Sequence, residues 1–351
     1  MSSSHTTRNS RTVAFAPRLA ELLEKYRGQD LFRLEPDTIG IADPDLMDAV
    51  LSARPAQAAE RPTFKPIRGR LVDRADAVTF MRAVTADVRA ALKTPLEPAA
   101  DLTGKWPQRA HDYVRDLVFG REDFRFRLLV DRRLELTPKL TWSAATSGAA
   151  LIGRLGADRP LSNLAAQVFD ADNFRDRQYS MYLYRRVAAP VCFTVASLVT
   201  GALWLASPLD PAVSNRNILL ETLRLLPPSW NLLRNRGSEY AALDGRIGAD
   251  DDILLLTLLS QRDPRLWEVP EEFRPERWDT LDPETHPGYL PFGHASERCW
   301  GRHMVLPLAE RILDIARRDG LAVDPGQTTG RVELDGLLEI ATMRVRAGQS
   351  G

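Results

Sequence analysis

The sequence predicts a mainly α-helical body carrying small β-sheets. Two observations point there. Apolar residues recur three and four positions apart through stretches such as Arg74–Leu92, which is the period of a helix with one buried face. The stretches that alternate instead are short, as in Leu31–Leu34 and Thr38–Ile41. With 44% hydrophobic residues in a chain of 351, a large core can form around them.

Taken in order, residues 1–12 are Ser-, Thr- and Arg-rich and are expected to be a disordered tail, with 13–351 forming one domain. "LAELLEKYRG" has helical spacing and ends at Gly28. Two short strands follow around a turn at Pro36–Asp37, and Asp43 or Asp45 caps a helix running to Leu51. Residues 52–74 read as loop. Arg74–Leu92 is a helix, "WPQRAHDYVRDLVFG" is another closed by Gly120, and "REDFRFRLLVDRRLEL" is a third. Short helices are expected between Trp142 and Asp170. Residues 176–206 form a long helix kinked or opened at Pro190. "NRNILLETLRLLPPSW" is a helix stopped by Pro227–Pro228, and "DGRIGADDDILLLTLLS" reads as short strands and turns. Six prolines between 263 and 291 exclude regular elements there and leave a meander. A helix over Gly301–Arg318 and a hairpin over "GRVELDGLLEIATMRVRA" close the chain.

Composition excludes several functions. The 47 basic and 47 acidic residues balance, so no basic surface argues for nucleic acid. Two widely separated cysteines make no disulfide framework and suit a reducing cytoplasm. The N-terminus lacks the apolar core of a secretory signal. "VAAPVCFTVASLVTGALWLA", Val187–Ala206, is apolar nearly all round, but it stands alone, contains Pro190 and has polar flanks; it is read as a buried helix rather than a membrane span.

The chemistry concentrates near the C-terminus, in "GYLPFGHASERCWGRHMVLPLAERIL". Cys299 opens a helix, where unpaired N–H groups and the helix dipole stabilise a thiolate. Glycines let the backbone turn toward the sulfur, and Phe292 and Trp300 offer an apolar wall. That setting fits a nucleophile or a metal ligand; equally, it fits a small hydrophobe packed into a loop. Upstream, "ETLR" places Glu221 and Arg224 three apart on one helical face between apolar runs. A buried pair of this kind needs further donors, and Arg277 in "EEFRPERW" can supply one.

"ETLR", "QRDPRLWEVPEEFRPERW" and "PFGHASERCWG", in that order, resemble the cytochrome P450 superfamily. The resemblance runs from the N-terminal strand pair to the C-terminal hairpin. It implies a triangular helical body holding haem b between the long central helix and the cysteine loop, with Cys299 as the axial thiolate on iron. It makes Glu221, Arg224 and Arg277 a structural triad, and Arg234 or Arg236 a contact for a haem propionate, with Arg82 and Arg89 as candidates for a second. The chain departs from the family in its cysteine loop, where Ala295 replaces a glycine and Glu297 replaces a basic residue. His294 or Arg298 would have to compensate that charge. The chain is also shorter than most members, between Trp142 and Asp172 and before "ETLR".

The long helix departs further. Oxygen-using members carry an acid and an alcohol beside the iron for proton delivery. The matching residues here are Ala188, Ala189, Pro190, Val191 and Cys192, and Thr194 and Thr200 lie further along. The pattern is similar to the peroxide-using branch, with Ala189 in place of its arginine, so that branch's carboxylate anchor is missing. Cys192 reads as a small core residue. The resemblance therefore implies a haem-thiolate enzyme tailoring a small specialised metabolite through atypical chemistry on an activated bond: peroxygenation, dehydration, or nitrene-type transfer with cyclisation. The alternatives are a monooxygenase coupled to ferredoxin and ferredoxin reductase, and a haem protein that binds or senses without turnover.

Overall fold

The computed structural model describes residues 12–53, 67, 70–97, 100–120, 124–135, 137–151, 162–169, 171, 173–235, 238–293, 298–327, 329–332 and 338–347. The order of elements is β1 (Thr12–Phe15), α1 (Pro17–Lys25), β2 (Leu31–Glu35), β3 (Thr38–Ile41), α2 (Pro44–Ser52), α3 (Arg74–Leu92), β4 (Gly104–Trp106) and α4 (Gln108–Phe119). Then come α5 (Phe124–Leu129), α6 (Arg132–Glu135), α7 (Lys139–Leu151), α8 (Asn163–Phe169), α9 (Phe174–Ala206) and α10 (Asn215–Leu225). The chain closes with β5 (Leu232–Arg234), α11 (Ser238–Ala241), β6 (Asp252–Leu255), α12 (Thr257–Ser260), a 3-10 turn (Pro275–Asp279), α13 (Arg302–Arg318), β7 (Leu321–Val323), β8 (Thr329–Val332) and β9 (Met343–Ala347). It is mainly helical with three small sheets.

Helix starts follow their side chains. Asp43 caps α2 by accepting from Leu46 N at 2.7 Å, Asn173 caps α9 from Asp176 N at 3.0 Å, and Ser214 caps α10 from Asn217 N at 3.0 Å. α9 is the axis of the fold: α3, α4, α7, α8, α10 and α13 all pack against it. Its all-round apolar sequence is thereby buried, and 83% of the window long and apolar enough to cross a membrane lies inside the protein. The helix runs unbroken through Pro190.

Four expectations change. The third predicted helix is two, because the Asp131 carboxylate accepts from Arg133 N at 2.7 Å and starts a new turn. The stretch after Trp142 includes a full helix, α7. The first strand begins at Thr12, one residue inside the expected tail; residues 1–11 lie outside the described residues. Among the described residues the expected C-terminal hairpin does not form: β8 pairs in parallel with β1, whereas β9 pairs with β4 and β7. Alternation marks a strand but does not choose its partner. Most of the predicted 52–74 loop, residues 54–66 and 68–69, lies outside the described residues.

One buried carboxylate fixes α8 to α3. Asp87 accepts from Asn163 N and Nδ2, both at 2.8 Å, and from Leu164 N at 2.9 Å. Burial raises its pKa above the usual aspartate value, against the hydrogen bonds that lower it. The folded chain thus holds this proton more tightly than the unfolded chain does. The contribution of Asp87 to stability is greatest below the unfolded pKa and declines as pH rises through the folded one. Asp87→Ala should cost about 1–3 kcal/mol in urea unfolding, by stranding three donors. Asp87→Asn should flatten this part of the stability–pH curve, and an unchanged curve would show that Asp87 titrates alike in both states.

Candidate active site

The site is assembled from a buried carboxylate outward. Glu221 and Arg224 on α10 are both fully buried, and the guanidinium meets the carboxylate in a fork, Nη2 to Oε1 at 2.8 Å and Nε to Oε2 at 3.1 Å. Three more donors complete Glu221: Arg277 Nε at 3.0 Å, Arg274 N at 2.9 Å and Trp278 Nε1 at 3.0 Å. Arg224 spends its other hydrogens on the carbonyls of Gln261, Pro270 and Glu272 at 2.9, 2.6 and 2.9 Å. The structure therefore brings Glu221, Arg224 and Arg277 together, and the proline meander is laid out around their charges.

From this cluster a continuous path leads to the cysteine. Trp278 packs against Tyr289 with ring centroids 4.5 Å apart, and Tyr289 Oη donates to Leu220 O at 3.1 Å. Gln261 donates to the carbonyls of Leu223 and Arg224 and accepts from Leu290 N at 3.0 Å. Gly288 sits so close to Trp267 that a Cβ would lie 2.8 Å from the indole nitrogen. Gly293 then turns the chain with φ +78°, a conformation that favours glycine. Its N–H donates to Leu290 O at 3.2 Å, and Cys299 N donates to Phe292 O at 2.8 Å.

Cys299 is exposed and free, three residues before the first residue of α13; Cys192 is buried. Packing does not account for an exposed thiol. Phe292 is half-buried beside it. Of the basic residues, Arg298 forms an ion pair with Glu284 in the meander. Arg234 lies on the edge strand β5, half-buried, with Nη1 donating to Leu233 O at 3.1 Å. Arg82 and Arg89 are exposed on α3, seven residues apart and so on one face. Arg89 lies near the start of α13: burial chiefly lowers the pKa of His303, and the charges of Arg302 and Arg89 add to it. Arg236, His294, Ala295 and Glu297 lie outside the described residues.

The long helix carries a pattern that the sequence does not display. From Tyr179 to Trp204 every residue of α9 is buried except Arg186, Pro190 and Thr194. They are spaced by four, so they form one accessible stripe along an otherwise enclosed helix. Among the residues matched to the distal wall, Pro190 is on the stripe, whereas Ala189, Val191 and Cys192 are 5%, 4% and 0% exposed. Thr194, which sequence reading sets aside as too distant, lies one turn from Pro190 and donates its hydroxyl proton to the Pro190 carbonyl. Arg186 was not singled out at all. No carboxylate sits on the stripe. Two turns beyond Pro190, Ser197 donates to Glu339 Oε2 at 2.6 Å, and Glu339 is paired with Arg132.

These features define a mainly helical scaffold with a cysteine loop beside a buried Glu–Arg cluster, leading into a helix that packs on a long central one. A family model described as Cytochrome P450 matches residues 216–307. Cyclooctat-9-en-7-ol 5-monooxygenase from Streptomyces melanosporofaciens is 39% identical over 119 residues, covering 32% of this chain and 25% of that protein. The chain thus aligns with a quarter or less of the length of the first curated relatives it matches, 25% and 19%. Among solved structures, a mutant of P450 EryK in complex with erythromycin B has a TM-score of 0.61 at 18% identity, covering 95% of this chain and 97% of that one. Mycobacterium marinum cytochrome P450 CYP150A6 gives 0.60 at 16% identity, over 95% and 96%. Residues 216–307 thus carry the cytochrome P450 family match, and the fold is similar to that of solved P450 structures along nearly the whole chain.

Removing one partner from the Glu221 cluster leaves buried charge uncompensated. Glu221→Ala should destabilise the fold by about 3–5 kcal/mol. The double substitution Glu221→Leu/Arg224→Met should recover a large part of that loss, which a double-mutant cycle in urea would measure.

Proposed function

We propose that this chain is a haem-thiolate enzyme acting on a small molecule, with Cys299 as the protein ligand to iron and residues 13–351 as one domain. The observation that carries the reading is the exposed, free thiol of Cys299 at the start of α13, in a loop held by the Cys299 N–Phe292 O bond. The donor set fits the group. Among the described residues no three His, Cys, Asp or Glu side chains cluster as a metal shell. A single thiolate therefore suits an iron whose other ligands come from a macrocycle. Phe292 would flank it, and Arg82, Arg89, Arg234 and Arg298 are the described candidates for its propionates. Bound there, the haem supplies an open iron position whose electron-rich thiolate favours breaking O–O or N–O bonds.

The chain's own residues bear on the choice of reaction. Pro190 brings no N–H to the centre of α9, and the Thr194 proton is held on the Pro190 carbonyl. The stripe carries neither a carboxylate nor a free hydroxyl proton to pass to a bound oxidant. This supports a substrate or oxidant that arrives with a weak bond: a peroxide, an N–O bond or an oxime. The products would be those of peroxygenation, dehydration, or nitrene-type transfer with cyclisation. A second reading, a monooxygenase driven by ferredoxin and ferredoxin reductase, is favoured by the relatives, one of which is named as a monooxygenase. No membrane or nucleic-acid partner is needed for either reading, and a cytoplasmic site of action suits both.

Cys299→Ala should abolish the thiolate-type band in the reduced, CO-bound spectrum while leaving the helical circular dichroism unchanged. A retained band would remove Cys299 as the ligand. Turnover of an organic hydroperoxide or an aldoxime without reductant and dioxygen is expected, and a strict need for NAD(P)H, ferredoxin and dioxygen would favour the second reading.

A further inference from the structure

His286 stands between the buried Glu221 cluster and the cysteine loop, and makes a bond that only an uncharged ring can make. It is half-buried in the meander, and its ring stacks on Trp267 with centroids 3.9 Å apart and planes 23° apart. Its Nδ1 accepts from Gly288 N at 3.2 Å, closing a turn of the kind an asparagine side chain closes two residues on. An accepting Nδ1 carries no proton, so the ring proton sits on the other nitrogen and the side chain is neutral. The turn leads straight to the cysteine. Gly288 is wedged against Trp267 and the Ser260 carbonyl, Tyr289 Oη donates to Leu220 O, and Leu290 N donates to Gln261. Phe292, two residues further, supplies the carbonyl that Cys299 N meets.

A proton on Nδ1 would set two N–H groups against each other and add a cation to a crowded face. Arg224 and Arg277 already lie 5.1 and 5.9 Å from the Trp267 ring centroid. The acids nearby are committed: Glu221 to those two arginines, Glu284 to Arg298, and Asp282 to Thr285 and Glu284 N. Arg216, paired with Glu310, and Arg302 border the same cavity as His286. Burial lowers the His286 pKa most; the Leu266 carbonyl opposes, and Arg277 and Arg224 add to the lowering. The folded chain thus takes up this proton less readily than the unfolded chain. The stability that His286 contributes is full above the ordinary histidine pKa and is lost as pH falls below it.

We propose that His286 is an acid-sensitive latch on the cysteine loop: neutral, it holds the turn that leads to Cys299, and protonated, it lets that turn go. The latch itself does not depend on the haem-thiolate reading; its effect on iron ligation does.

The test is amide hydrogen exchange of the haem-loaded chain at about pH 8 and about pH 5, corrected for intrinsic rates, in the peptide covering residues 286–293. Protection there should fall about tenfold toward acid, the scale of one lost hydrogen bond. His286→Asn keeps an acceptor for Gly288 N but cannot titrate, so its protection should stay high at both. His286→Ala should be unprotected at both. His303→Asn, which removes another histidine near the cysteine, should respond as the wild type does. In the reduced, CO-bound spectrum the thiolate-type band should fade toward acid in the wild type and persist in His286→Asn. Circular dichroism melts establish that the variants are folded. If His286→Asn does not fold, exchange of the His286 ring C–H in the same peptide decides. Its titration midpoint must coincide with the loss of amide protection, and a separation of more than about one pH unit decides against. The proposal is overturned if wild-type protection is the same at both pH values, if His286→Asn follows the wild type, or if His303→Asn abolishes the response. A chain that takes up no haem defeats the proposed function, while amide exchange in the same peptide still decides His286.

Discussion

A carboxylate with no access to water is the constraint on which the cysteine side of this molecule depends. Glu221 could not be buried alone; the cost of desolvating it is several kcal/mol even after relaxation. It is met by two guanidinium groups, an indole and a backbone amide: Arg224 comes from α10, and the other three donors come from residues 274–278 of the meander. Because each donor must reach the same two oxygens, the meander has little freedom in where it runs. That rigidity suits a loop with no regular ladder of its own. Regular structure would have ordered the segment locally, but six prolines remove that option and leave the buried charge to do it from a distance.

The two sides of the site are built on opposite plans. The cysteine side is polar and densely hydrogen-bonded, with its one reactive atom left out in the open. Between Tyr179 and Trp204 the central helix is largely apolar and closed, and admits solvent along a single line of three side chains. Its hydroxyl groups are already engaged: Thr194 and Thr200 each donate to the carbonyl four residues earlier, and Ser197 donates to Glu339. This arrangement leaves shape, rather than mobile protons, as what the open line of the helix offers a ligand.

Much of this was readable from residues. The Glu221–Arg224 pair was legible because a three-residue spacing between apolar runs can only bury both charges together, and that forces a search for further donors such as Arg277. Trp278 and Arg274 N were not legible as donors, because nothing local separates an indole that packs from one that also hydrogen-bonds. Helix starts at Asp43, Asn173 and Ser214 follow from short-range chemistry. Strand partnership does not, which is why β8 and β9 were expected to pair with each other and instead joined separate sheets. The stripe on α9 was hidden for a different reason. A helix buried on every side has no amphipathic period, so the one line that is left open has no signature in hydrophobicity.

The pairing of Arg132 with Glu339 has a consequence for how the chain is made. The two are separated by 207 positions, and Glu339 also takes the Ser197 proton on α9. On a ribosome, Arg132 and the whole of α9 emerge long before their carboxylate does. Until then a guanidinium destined for the interior has no counter-ion and is better left in water. The central helix therefore cannot settle fully against α6 until the segment carrying Glu339 has emerged.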